Sequence, residues 1–94
     1  MQKNTYTIKE KVWRWPGDGG WHFVTIGGKK FEEIRKKFPK GFVKVRATVG
    51  KVSFDTSLFP HTKHNEYLFC VNKKIRKNLE IWEGDEIKLK IEII

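Results

Sequence analysis

The side chains with the clearest chemical potential in this sequence are cationic. Twenty lysines and arginines stand against eleven aspartates and glutamates, which gives a formal net charge of +9 and a pI near 9.8. Such an excess favours binding of a polyanion, because the summed field of the surface attracts negative groups. A composition rich in lysine, glutamate and isoleucine is also typical of thermostable proteins, in which the charges form a solvated surface. Both interpretations stay open.

Three pairs of basic residues are candidates for contact with nucleic acid. Two pairs alternate with apolar residues and are expected on the outer faces of predicted strands, and the third lies in a predicted helix. Each residue has an equally simple interpretation as solvated surface charge. The candidate nucleic-acid-binding residues are Lys44, Arg46, Arg76, Lys77, Lys88 and Lys90.

Residues 54–64 gather a carboxylate, hydroxyls and two histidines, the mixture that catalysis or metal binding requires. His61 and His64 are three residues apart and, with His22, would offer three nitrogen ligands to a metal. The stretch lacks the cysteines or helical carboxylate usual in zinc sites, and Ser57 lacks the glycines of a nucleophile elbow. The sequence therefore predicts no catalytic residue, no metal site and no cofactor.

The same stretch also supports an alternative function. From Ser57 to Asn65 the chain contains Pro60 and is predicted to be a loop, in which Leu58 and Phe59 plug one end of a barrel. An incomplete plug would leave a small apolar pocket rimmed by Ser57 and Arg76. The alternative is thus a small-ligand or peptide-binding barrel that uses the Thr56 to His64 loop, with Ser57, Phe59 and Arg76 as ligand-binding residues.

Exposed aromatic residues would favour single-stranded nucleic acid, whose bases stack on them. The candidates are Trp13, Trp15, Trp21 and Trp82. Most of them are expected in the core, because a small interior is filled efficiently by large side chains. Trp82, in the polar turn 80–83, is the one expected to face solvent.

Length and composition favour one soluble domain over residues 1–94. Ninety-four residues are too few for a second core. Cys70 has no partner for a disulfide, which fits a reducing compartment. The sequence has neither an apolar run long enough to cross a bilayer nor a signal region after Met1. We expect a cytoplasmic protein, a monomer or weak homodimer, without a membrane partner.

The elements that must position these side chains are mostly strands. Tyr6, Ile8 and Val12 alternate with polar residues and Trp13 has the opposite phase, which predicts a first strand that bends near Val12. A turn at 16–20 leads into an interior strand, and alternation predicts further strands over 42–49, 52–56, 67–71 and 87–93. Short helices are predicted from two apolar stripes, which are Phe31, Ile34 and Phe38, and Ile75 and Leu79.

The two halves of the chain repeat one strand-helix-strand unit. Each half contains an apolar strand, a helix whose stripe begins with Ile-Arg-Lys, a glycine turn and an alternating strand. Two such halves, related by a pseudo-two-fold axis, would enclose one core. The matched segments are Phe23–Ile26 with Leu68–Val71, Ile34–Phe38 with Ile75–Leu79, and Lys44–Val49 with Lys88–Ile93.

The second half, Leu68–Ile87, resembles the signature of AbrB-like swapped-hairpin transcription factors. The resemblance rests on a strand, the Ile75-Arg76-Lys77 helix and the Gly84-Asp85 turn, and departs at Asn72, where those proteins usually have proline. It implies that Arg76 and Lys77 contact DNA.

A wider resemblance covers nearly the whole chain. The ordered segments Trp21–Val24, Val43–Gly50, Thr56–Pro60, Lys73–Lys77 and Gly84–Asp85 resemble the domain-of-unknown-function family DUF1905. The resemblance implies a double-split β-barrel in one chain, similar to what two AbrB-like chains build together, and carries no established activity.

We therefore expect a mainly β fold with two short helices, a single-chain double-split β-barrel made of two pseudo-symmetric strand-helix-strand halves. The expected function is non-catalytic binding of nucleic acid or another polyanion, with the ligand-binding barrel as the alternative.

Overall fold

A computed structural model describes residues 4–39 and 41–94 of the chain. These residues form seven strands, two α-helices and one 3₁₀ helix. The strands are β1 (Thr5–Lys11), β2 (Trp13–Arg14), β3 (His22–Ile26), β4 (Val43–Val49), β5 (Val52–His61), β6 (Glu66–Cys70) and β7 (Glu86–Ile93). The helices are α1 (Gly28–Lys37) and α2 (Lys73–Leu79), and the 3₁₀ helix is Thr62–His64.

The strands form one antiparallel sheet that curls into a nearly closed barrel. Their order is β1-β7-β4-β5-β6-β3-β2, so the two ends of the sheet, β1 and β2, are consecutive pieces of chain separated only by Val12. The Val12 amide donates to the carbonyl of Asp85 at 2.8 Å, and the Val12 carbonyl accepts from the amide of Gly84 at 2.7 Å. The predicted bend near Val12 is confirmed, and it is the point where the first strand leaves β7 and joins β3.

The β5 strand changes partners in the same way, which the sequence did not reveal. It pairs with β4 as far as Leu58 and then with β6 from Phe59 to His61. The predicted loop from Ser57 to Asn65 is therefore wrong for residues 57–61, because β4 pairs with residues 57 and 58 and β6 pairs with residues 59–61. Pro60 is tolerated because β5 has already left β4, so no hydrogen bond is lost on that side.

Leu58 is buried as predicted, whereas Phe59 is not part of a plug. Leu58 is fully buried in the barrel interior, as an inward residue of β5 and not as part of a loop. Phe59 points outward, is 36% exposed, and packs against Phe42 with their ring centroids 5.1 Å apart. Adjacent residues of a strand face opposite sides of the sheet, so both cannot fill the same end.

The core is the inner face of the barrel, capped by the two helices. Alternating apolar residues of β4 and β7 are buried, as predicted, and their intervening neighbours face outward. Ile34 of α1 and Ile75 of α2 are both buried against this core, and Leu79 packs at its margin. The predicted inward position of Phe38 is wrong, because α1 ends at Lys37 and Phe38 is 36% exposed. No helix in the described residues is long and apolar enough to span a membrane.

The strand register shows the internal two-fold repeat. Phe23 lies opposite Cys70, and Thr25 lies opposite Leu68. A rotation that carries Phe23 onto Leu68 and Thr25 onto Cys70 exchanges these two pairs, as the predicted repeat requires. The corresponding pairs of β4 and β7 are Val45 with Ile93 and Val49 with Leu89. The two halves thus pair across the axis.

One buried hydroxyl of this core predicts a stabilising substitution. Tyr67 is fully buried beside Phe31, and its hydroxyl has no hydrogen-bond partner among the described residues. Tyr67→Phe is expected to raise the free energy of unfolding by about 1 kcal/mol, because the desolvated hydroxyl is removed without loss of a bond. Urea denaturation would measure the change. The matched control is Tyr6→Phe, expected to be neutral or destabilising because the Tyr6 hydroxyl accepts from Lys37 Nζ at 3.4 Å; a destabilised Tyr67→Phe protein would contradict the prediction.

Candidate functional site

The α2 helix presents three cations on one side. The side chain of Asn72 caps the helix, its Oδ1 accepting from the Ile75 amide at 2.9 Å. Lys73, Arg76 and Lys77 then follow at spacings of three and four residues, which place them on one helical face. Because Ile75 is buried against the core, this cationic face is turned outward.

These cations border a cleft between α2 and the β2–β3 hairpin. One cavity of about 350 Å³ is lined by the α2 cations together with His22 and Trp82. An adjoining cavity of about 440 Å³ shares four of these residues and adds Arg14 from β2. We call this surface the basic cleft, and its defining residues are Arg14, His22, Lys73, Arg76, Lys77 and Trp82.

Arg76 is the fixed member of the cleft. It is partly buried, and its Nε donates to the carbonyl of Val71 at 3.1 Å. That bond uses only one of the guanidinium donors, so the others are held in place for a ligand. Glu80 and Glu83 also line the two cavities, which leaves four cationic side chains against two carboxylates. The cleft is therefore net positive and suited to an anion.

Two titratable groups, His22 and Cys70, line a third cavity of about 190 Å³ that also includes Lys73 and Arg76. The Nδ1 of His22 donates to the Gly20 carbonyl at 2.6 Å, so that nitrogen carries a proton. Burial raises the pKa of the Cys70 thiol, and the nearby Arg76 charge opposes this shift only in part. A thiol with a raised pKa is a poor nucleophile at neutral pH. The basic cleft therefore offers charge and hydrogen bonds, and the Cys70 thiol beside it is not activated as a nucleophile.

Trp82 stands at the edge of the cleft on a fixed turn. The residue is 73% exposed, which confirms the prediction that this tryptophan faces solvent. The Trp82 amide donates to Asp85 Oδ2 at 2.8 Å, and the Asp85 amide donates back to the Trp82 carbonyl at 3.0 Å. Gly84 closes the turn at a φ of 91°, in the left-handed region that favours glycine. The exposed ring is thus carried by a constrained backbone.

The expectation that most tryptophans are core residues is wrong. After Val12 turns inward, the odd-numbered residues that follow face outward, and Trp15 and Trp21 are 40% and 52% exposed. They cover the outward side of Phe23 in β3. Trp13 is oriented by a 2.8 Å bond from its Nε1 to Thr25 Oγ1. We call this surface the aromatic face; its groove of about 310 Å³ is lined by Trp15, Trp21, Phe23, Phe59 and Leu68.

Of the six predicted nucleic-acid contacts, the structure places Arg76 and Lys77 together in the basic cleft. Lys44, Arg46, Lys88 and Lys90 are exposed on the outer face of β4 and β7.

Carboxylates are interspersed among the strand cations. Arg46 Nε donates to Asp55 Oδ1 at 3.0 Å, a bond that raises the pKa of the guanidinium, and Glu92 lies opposite Arg46 in β7. Charges of both signs on one face give a weaker field than cations alone. The binding roles of these four residues stay predictions.

The histidines near β5 are held by a different set of contacts. His61 Nδ1 lies 3.2 Å from Glu66 Oε1, and the His61 and His64 ring centroids are 4.5 Å apart. His22 instead lines the basic cleft. The described part of the chain contains no group of three or more His, Cys, Asp or Glu side chains that could hold a metal ion.

The proposed ligand pocket is not assembled from its three predicted residues. Ser57 lies two residues before Phe59 on β5 and therefore faces outward like Phe59, and it pairs with Lys44 of β4. Phe59 lines the aromatic groove, and Arg76 lines the basic cleft. The cleft cavities around Arg76 include neither Ser57 nor Phe59 among their described lining residues.

Sequence reasoning did not identify Arg14 and Lys73, and it considered His22 only as a metal ligand. The spacing of Lys73 from Arg76 and Lys77 is a signal that could have identified it, because those positions share a helical face. Arg14 and His22 face each other across β2 and β3, and only the folded hairpin brings them beside α2.

Comparison with known proteins places this fold in a family. No curated protein matches the chain. A family model described as "Domain of unknown function (DUF1905)" matches residues 9–91, from within β1 to within β7, and so includes both halves of the barrel and the basic cleft. The narrower likeness to AbrB-like domains stays a resemblance. The chain therefore belongs to the DUF1905 family of domains of unknown function.

Proposed function

We propose that this barrel is a non-catalytic binding module for nucleic acid or another polyanion, and that the basic cleft is its main contact surface. The observation that carries the proposal is the convergence of Lys73, Arg76 and Lys77 from α2 with Arg14 from β2 around one cleft. Arg14 is distant in sequence from the three α2 cations, so its proximity to them is a property of the fold.

Binding at this cleft would derive mainly from phosphate contacts. Each cation that neutralises a phosphate releases condensed counterions, which makes affinity fall with salt. Arg76 is positioned before binding by its bond to Val71, so its guanidinium loses little freedom when a phosphate arrives. Lys73 and Lys77 are exposed and can follow the backbone of a ligand.

The strand cations form a secondary part of the proposal. Lys44, Lys88 and Lys90 would contribute long-range attraction and extend the contact of a long polyanion. Arg46 would contribute less, since Asp55 already accepts its hydrogen bond and neutralises its charge locally.

The alternative of a small-ligand or peptide-binding barrel has less support. The alternative requires an incomplete plug at the barrel end, whereas Leu58 is fully buried in the barrel interior. Ser57 and Arg76 belong to different surfaces, as described above. A thermal-shift screen against small ligands and peptides tests this alternative, since a compound that binds the folded state raises its melting temperature.

Fluorescence anisotropy with labelled mixed-sequence DNA and RNA tests the main proposal. If four cleft cations contact phosphates, affinity is expected to fall roughly 100-fold between 50 and 200 mM salt. Heparin should compete at low salt, because the interaction is with charge. Binding that is absent, or that does not depend on salt, would reject the proposed function.

A further inference from the structure

The basic cleft and the aromatic face meet at one residue, Trp21. Its indole lines the aromatic groove together with Trp15 and Phe59. It also lines a cavity of about 190 Å³ that contains Lys73 and Arg76. Trp82 borders the two larger cavities of the basic cleft. Cations are therefore adjacent to exposed indoles along one continuous surface.

The two indoles are presented as platforms. Trp21 stacks on Phe23 with ring centroids 6.4 Å apart and an interplanar angle of 6°, which leaves its other side outward. Its edge packs against Gly19, where an added Cβ would lie 3.0 Å from Nε1. Trp82 is carried by the turn that Asp85 closes. Neither ring belongs to the buried apolar cluster, so packing in the core does not explain why tryptophan occupies these two positions.

The ligand that matches such a surface carries anionic groups and flat apolar rings in alternation. Single-stranded nucleic acid has this chemistry, because its unpaired bases are free to stack on aromatic side chains while its phosphates contact cations. A duplex offers the phosphates but keeps its bases stacked inside. An acidic peptide offers the charge without the succession of planar rings.

We propose that the basic cleft binds single-stranded nucleic acid, with bases stacked on Trp82 and Trp21 and phosphates held by Lys73, Arg76 and Lys77. This inference rests on the proposed function and names its substrate class. The preference for single-stranded nucleic acid follows from the two indoles, whereas the general attraction to polyanions follows from the cations alone.

The test compares a labelled 12-nucleotide single strand with a duplex of the same sequence and length, in the same buffer. The single strand is expected to bind at least about 10-fold more tightly than the duplex. Trp82→Ala should weaken single-strand binding roughly 5- to 150-fold and leave duplex binding and the salt dependence nearly unchanged, since stacking carries no charge. Trp82→Phe should restore much of the loss because it keeps an aromatic ring.

A matched control removes an aromatic ring from another surface. Phe38→Ala deletes a partly exposed ring at the end of α1 and should leave both affinities unchanged. Thermal denaturation of each variant would show that the fold is retained.

The outcomes separate this inference from the proposed function. Equal, salt-dependent binding of single strand and duplex would overturn the inference and leave polyanion binding standing. Absence of binding to either would overturn both. Polyglutamate that displaces the single strand at equal charge concentration would also overturn the inference, since it would show that the bases contribute nothing.

Discussion

Phe69→Ala is expected to lower the free energy of unfolding by about 3–5 kcal/mol. Phe69 is fully buried in β6, and its ring lies 5.9 Å from that of Phe54 across the barrel interior. Truncation removes apolar area from the core and leaves a cavity that the closed sheet cannot collapse to fill. Small domains have a total stability of about 5–15 kcal/mol, so the variant should lose a large part of it. Chemical denaturation monitored by circular dichroism would measure the change.

Phe42→Ala is the matched control because it deletes the same side chain from the outer surface. Phe42 is 67% exposed, and its ring packs against that of Phe59 on the outer surface, with the centroids 5.1 Å apart. Its removal should cost about 1 kcal/mol or less. Similar losses for the two variants would show that the inner and outer faces are assigned wrongly.

The double substitution Lys73→Gln, Lys77→Gln is expected to weaken nucleic-acid binding roughly 10- to 100-fold at low salt. Both side chains are exposed on α2, so the fold should be unaffected. The slope of log affinity against log salt should fall by about 2, because two phosphate contacts are lost. Anisotropy titrations over a series of salt concentrations would measure both quantities.

Lys88→Gln, Lys90→Gln removes the same charge from the outer face of β7 and is the control for overall electrostatics. Both lysines are exposed, and Glu86 and Glu92 flank them on that face. This variant should lose less affinity and keep more of the salt slope than the α2 variant. A larger loss here would place the contact surface on the strands, and the basic cleft would not be the main site.

Much of the fold was predictable because the relevant signals are local. Alternation in β4 and β7 fixes which face is buried, and the phase change after Val12 predicts the bend that closes the sheet. The repeat was also visible, because a symmetric fold places similar residues in similar environments, as with Ile34 and Ile75.

The prediction for β5 was wrong in its second half because the hairpin that this segment forms with β6 was not recognised from the sequence. Residues 59–61 are a strand only because β6 lies beside them. Pro60 and the polar residues near it are typical of a loop. Proline is acceptable in this strand because β4 no longer pairs with β5 beyond Leu58. The prediction that Leu58 is buried was correct, because an apolar side chain favours the interior whether its backbone forms a loop or a strand.

The candidate site was predictable only in part, because it combines elements that are far apart in sequence. Arg76 and Lys77 were identified from the helix and from a family resemblance. The convergence of Arg14 with them depends on how the β2–β3 hairpin packs beside α2, which no local pattern encodes. The outward position of Trp15 and Trp21 was also missed, because large aromatic residues are usually buried.

The hydrogen bond that joins the two ends of the described chain bears on how the halves depend on each other. The Ile93 amide donates to the Asn4 carbonyl at 2.8 Å, while the Gly50–Lys51 turn joins the first half to the second. A short linker from the last strand to the first, with a new opening at that turn, would therefore yield a circular permutant in which the later half is translated first. Every strand pairing of the barrel would be preserved, so the architecture requires both halves but is indifferent to their order.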